Sequence, residues 1–189
     1  MADLQTYRDI FNDTFISRLN TLNKNNDNTV DVGSLDFDGE EIDVRTILET
    51  LGYQISEDAE FQGSGLLRGN EIILDASEVP TRQRFTMAHE LGHALNGEDG
   101  EFRQDNPDNY SPAKRRAEIK ANRFAAEFLM PRPIVTALVE KEIADRQLDA
   151  RNLSEDDVDS VVSAVAERMK VSKVAMTNRM HTLRIFTEV

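Results

Sequence analysis

Two histidines four residues apart, His89 and His93, stand in the stretch RFTMAHELGHALNG (residues 84–97), with Pro80 shortly before it and Gly97 at its end. Proline suits the first turn of a helix and glycine its termination, so the stretch reads as one helix. Positions i and i+4 of a helix lie one turn apart on the same face, which aims both imidazoles at a common point. That is the geometry a metal ion needs, and it obliges the fold to bring a third donor to the same place. Gly92, between the histidines, costs helix propensity but leaves room for a close approach beside them.

The 189 residues contain no cysteine, so any transition metal must be held by imidazole and carboxylate. Catalytic zinc typically takes three protein ligands and keeps one position for water. His89 and His93 supply two. Glu90, directly after the first histidine, is turned about 100° from the ligand position, but its carboxylate can reach a water held there. It is the candidate general base. Two carboxylates compete for the third ligand position. Asp99 lies six residues after His93, a spacing used where a glycine turns the chain back to the metal, although Asn96 holds the place of that glycine here. Glu118 belongs to a later helical stretch and is followed one turn on by Asn122, an amide able to orient a ligating histidine. That pairing favours Glu118.

Residues 4–22 place Leu4, Tyr7, Ile10, Phe11, Phe15, Ile16 and Leu19 at helical spacing, which predicts one amphipathic helix. The run NKNNDNTVDVGS reads as a flexible linker. VRTILETLG then predicts a short helix ended by Gly52, and YQIS a strand. GSGLLRGNEIILD predicts a strand pair hinged near Gly69 and Asn70. After the histidine helix, with Ser77 ahead of Pro80 at its start, a polar loop leads to Ser111 and Pro112. A helix runs from there through AEIKANRFAAEFLM to Pro131, and further helices follow, with Ser154 and Ser172 as expected caps. The expected class is α+β, a small antiparallel or mixed sheet packed on helices. The expected division is an N-terminal helix and linker (1–36), a core (37–132) and a C-terminal helical region (133–189).

RQRFTMAHELGH followed by EIKANRFAAEFLMP resembles the paired signature of the ImmA/IrrE family of zinc metallo-endopeptidases, and the resemblance covers residues 43–131. It implies a zincin-like core with zinc as cofactor, His89, His93 and Glu118 as ligands, and Glu90 as the catalytic glutamate. NEIILD resembles the segment that precedes the active helix in that family. The resemblance further implies site-specific cleavage of helix-turn-helix repressors of phages, mobile elements or stress regulons. An edge strand at residues 71–75 would hold such a substrate extended. The rival reading is a binding module, a zinc scaffold that captures a repressor or DNA through its C-terminal helices without hydrolysis; an intact Glu90 argues against it, since a scaffold needs ligands but no base.

Other features receive plainer readings. Arg84, Phe85 and Phe124 read as structural, the arginine as a salt-bridge or helix-end contact. Tyr110 and His181 are candidates by residue type for stabilising an oxyanion, and a packing or surface role is the simpler expectation. VVSAVAERMKVSKVAMTNRMHTLRIF has the outline of a helix-turn-helix with Arg168, Lys170, Lys173, Arg179 and Arg184. Its turn lacks glycine, and 22 Lys+Arg against 35 Asp+Glu give a net charge of −13, so direct DNA binding is not expected. No stretch has the length and apolarity of a membrane span or signal sequence, and the expected location is cytoplasmic.

Overall fold

Helix ends in this protein fall where side chains can take up the backbone groups that a helix leaves unpaired. The computed structural model describes residues 4–24, 30–37, 39–97 and 111–186. Among these, helices α1 (Tyr7–Ile10) and α2 (Asp13–Asn20) precede a 3₁₀ turn (Val32–Ser34) and α3 (Val44–Thr50). Strands β1 (Gln54–Asp58), β2 (Gly65–Arg68) and β3 (Glu71–Asp75) follow. The remainder is helical: α4 (Pro80–Leu95), α5 (Pro112–Leu129), α6 (Arg132–Asp145), α7 (Glu155–Arg168) and α8 (Lys173–Leu183). The class is α+β, with one small mixed sheet. Ser111 caps α5 by accepting from the Lys114 amide, Ser154 forms a capping box with Asp157 on α7, and Ser172 accepts from the Ala175 amide on α8. Helix α4 is different: Val79 is its N-cap and Pro80 opens it with no side-chain cap. Ser77 instead donates through its amide and hydroxyl to Asp75 Oδ1, closing a turn after β3.

The N-terminal pattern forms two helices rather than one. Thr6 and Asp9 make a capping box on α1, while Asn12, in extended conformation, accepts from the Phe15 amide and starts α2 afresh. A polar cap within the apolar periodicity wins over its continuation. Part of the expected linker is also fixed. Val32 and Gly33 are buried, and Asp31 accepts from Ser34, Asn20, Arg8 and the Gly33 amide, which together hold its carboxyl down at about 2.

The sheet order is β1-β3-β2. Strands β2 and β3 are the antiparallel hairpin, Arg68 opposite Glu71, turned by Gly69 at φ +62° and Asn70. Strand β1 runs parallel to β3 on its other side, Gln54 opposite Glu71. The segment 71–75 is therefore the central strand, not an edge. Both of its hydrogen-bonding sides are occupied, so it has none left for a substrate.

Buried residues from every layer join one core cluster. Ile16, Leu48, Ile72 and Leu74 meet Leu91 of α4, Phe128 and Leu129 of α5, Leu138 of α6, Val165 of α7 and Met176 of α8. Within it α4 and α5 pack in close contact. A Cβ at Gly92 would stand 3.0 Å from Ala121 Cα and 3.2 Å from the Phe124 ring. Gly92→Ala gains about 1 kcal/mol of helix propensity, but forcing a methyl against backbone costs about 1–3 kcal/mol and pushes α5 outward. We expect this variant to fold with unchanged or slightly lower thermal stability and clearly weaker zinc binding, which melting curves with and without added zinc would show.

Candidate metal centre

Helix α4 carries His89 and His93, and α5 lies across them with Glu118 turned inward. His89 is fully buried; His93 and Glu118 are each 12 % exposed at the side chain. His89 Nε2 lies 3.0 Å from His93 Nε2 and 3.2 Å from Glu118 Oε2, and His93 Nε2 lies 3.6 Å from Glu118 Oε1. One donor atom from each falls within 4.8 Å of the others, the single such grouping of His, Asp and Glu among the described residues. Donors about 2.0–2.1 Å from a tetrahedral zinc stand about 3.3 Å apart, and the three observed separations bracket that value. Two imidazoles and a carboxylate suit a borderline ion such as zinc. The residues present fit the group.

Asn122, one turn after Glu118, places Oδ1 3.0 Å from His89 Nδ1. An Nδ1–H donated to that oxygen leaves Nε2 with its lone pair directed at the site and fixes the ring's orientation. Phe85, one turn before His89, stacks obliquely on it with ring centroids 6.2 Å apart. Glu90 is 2 % exposed. Its Oε1 would lie 3.6 Å from a Cβ at Gly65, the first residue of β2. Gly65 itself is required by packing, since any Cβ there would collide with Thr86 Cγ2 of α4. Glu90 thus packs against β2, an edge strand that sequence patterning alone does not distinguish from β3. Among the described residues no strand pairs the outer side of β2.

Asp99 and Tyr110 lie outside the described residues. His181 is exposed on the last turn of α8 and takes no part in the ligand grouping. Arg84 makes a helix-end contact: its guanidinium donates to the carbonyls of Lys170, just past α7, and Ile42, and burial pushes its pKa down. Of the basic residues in the α7–α8 hairpin, Arg168 bonds Glu40 and Glu142, Lys170 pairs with Glu41, and Lys173 with Asp159. No helix among the described residues is long and apolar enough to cross a membrane.

A buried His-His-Glu cluster on two crossed helices, with a glutamate beside it and an edge strand alongside, is the arrangement of an HExxH metallopeptidase centre. Comparison with known proteins agrees: the model of the IrrE N-terminal-like domain, a peptidase family, matches residues 39–181, and the chain belongs to that family. The Radiation response metalloprotease IrrE of Deinococcus radiodurans is 36 % identical over 74 residues, 38 % of this chain. That match spans 23 % of the length of the Deinococcus protein.

Metal content tests the donor set. His89→Ala and His93→Ala should abolish stoichiometric zinc, and Glu118→Ala should weaken it, while Asp99→Ala should leave it unchanged. Asn122→Ala keeps all three ligands but frees the His89 ring, and should weaken zinc binding about 10–100-fold. Elemental analysis with a competing chelator measures all five.

Proposed function

We propose that the protein is a zinc-dependent endopeptidase that cuts an extended linker of a helix-turn-helix transcriptional repressor, with His89, His93 and Glu118 holding the metal. The observation that carries this reading is the placement of Glu90, buried directly after His89 on α4 and packed against Gly65 of β2. Zinc held there would supply a Lewis acid for the scissile carbonyl and lower the pKa of an attacking water. Glu90 takes the proton from that water as its oxygen adds to the carbonyl carbon. When the C–N bond breaks, the same carboxyl returns the proton to the departing amine.

Substrate would lie extended along β2, whose outer backbone groups could pair with it as an added strand. That role falls to residues 65–68 in place of the central strand 71–75. Only a segment with free backbone groups can dock so, which favours a linker over a packed helix. The repressor as substrate class is what the resemblance in sequence implies; the family supports a peptidase. Direct operator binding by the α7–α8 hairpin is not part of the reading: its cations at Arg168, Lys170 and Lys173 are already committed to carboxylates, and counterion release needs cations available to phosphate.

Glu90→Gln tests the proposal, because the amide is nearly isosteric and alters no ligand. The variant should keep zinc and fold, and its cleavage of a repressor encoded beside the gene should fall at least about a hundredfold. Mass spectrometry of the products should show one cut in the wild-type reaction. A Glu90→Gln protein as fast as wild type would overturn the mechanism. Tight repressor binding by both forms with no cut in either would favour a capture module.

A further inference from the structure

A groove of about 900 Å³ opens between α4, α5 and α8, and nothing in the mechanism above uses it. Arg82 and Phe85 of α4 line one side of it, and Asn122, Arg123 and Ala126 of α5 with Met130 just past that helix line another; none of His89, His93 and Glu118 does. Phe85 and Asn122, both in contact with the buried His89, form one end of it, Asn122 at Nδ1 and so on the side of the ring away from Glu118. Its far wall is α8 and the turn before it, with Val171, Val174 and Ala175. Val174 is 71 % exposed and Val79, on the opposite lip, 63 %, two of the three most exposed large apolar residues described. The volume accommodates several side chains.

Charge at the groove runs against that of the chain. Arg82 is matched by Glu78, but Arg123 and Arg179 face a single acid, Glu127. Arg123 is 79 % exposed at the side chain. Arg179 donates to the Met130 carbonyl from a half-buried position, where burial and the nearby Arg132 and Arg123 push its pKa down. In a protein of net charge −13 this local cationic surplus beside exposed apolar residues calls for a ligand with the opposite endowment.

We propose that the groove is a docking subsite of the peptidase, separate from the catalytic cleft, and receives a segment of the substrate protein that combines large apolar side chains with carboxylates. The proposal rests on the peptidase reading for the word substrate. The groove lies on the Nδ1 side of the buried His89 ring, away from the Nε2 that faces His93 and Glu118, so a segment seated there would be held outside the catalytic cleft.

Binding separates the two ideas. The probes are fluorescein-labelled synthetic peptides in which Leu and Phe are interspersed with Glu, and the same peptides with Lys in place of Glu, titrated by anisotropy into zinc-loaded Glu90→Gln protein. The acidic peptide should bind at least about tenfold more tightly than the basic one, a difference of about 1.4 kcal/mol. Arg123→Glu should erase most of that preference, and Val174→Asp should weaken the acidic peptide severalfold. Both sites are exposed, and an aspartate in the first turn of α8 favours that helix, so loss of fold does not mimic the result. Equal affinity for both peptides, or affinities indifferent to both substitutions, overturns the proposal. If the wild type cuts a repressor with a KM that neither substitution raises, the groove falls and the peptidase stands. If the charge preference and its sensitivity to Arg123→Glu are observed while the wild type cuts nothing, the groove stands as a binding site and the peptidase reading falls.

Discussion

The contact of α4 with α5 at Gly92 and Ala121 sets everything else in this protein. Two histidines on one helix define a point, but only a second helix brought to near-backbone distance can deliver a carboxylate to it without a long, entropically costly side-chain reach. The missing Cβ at Gly92 permits that distance. With it, Glu118 meets both imidazoles and Asn122 reaches the far side of His89 from the same helix. The candidate ligand Glu118 and the amide that orients His89 are therefore moved together or not at all. Rigid placement of this kind is what distinguishes a metal site from an accidental gathering of polar side chains.

Much of this was legible because it is local. The i, i+4 histidines, the adjacent glutamate, the Glu118–Asn122 spacing and the capping serines at 111, 154 and 172 each act within a turn or two of helix, where spacing dictates which groups meet. What depends on distant partners was not. Strand patterning in GLLRGNEIILD specifies the hairpin but carries nothing about which side of it β1 joins, so the central strand looks like an edge from the sequence. The Asn-rich stretch looked like linker by composition, yet Asp31 is gripped by Arg8 and Asn20 from elements that no local window contains. The groove left no signature at all: Val79 and Val174 look like the stray apolar residues that any surface carries.

Acidic and basic residues are divided in a way that the net charge conceals. Arg168 and Lys170 of the α7–α8 hairpin turn back onto Glu40 and Glu41, tying that end of the chain to the segment before α3, while Glu142 of α6 and Asp159 of α7 take the second bond of Arg168 and the ammonium of Lys173. Arg84 adds a further tie by donating to carbonyls at Ile42 and Lys170. These links fix α8 relative to α4, and so hold open the space between them. Surface ion pairs contribute little individually, but here their effect is geometric, since they register two ends of the molecule that are more than a hundred residues apart in the chain.

The N-terminal helices lie before residue 39, where the family match begins. Phe11 and Phe15 stack on Phe124 and Phe128 of α5, with centroids 4.6–6.1 Å apart across the cluster. Those two α5 aromatics share a helix with Glu118 and Asn122, and Phe124 also bears on Gly92. A fragment trimmed to the homologous region would uncover the outer face of this ligand-bearing helix and loosen it from behind. The helix that carries Glu118 and Asn122 is thus buttressed by residues that precede the matched region, so the bounds of the family match and of mechanical support for the candidate site do not coincide.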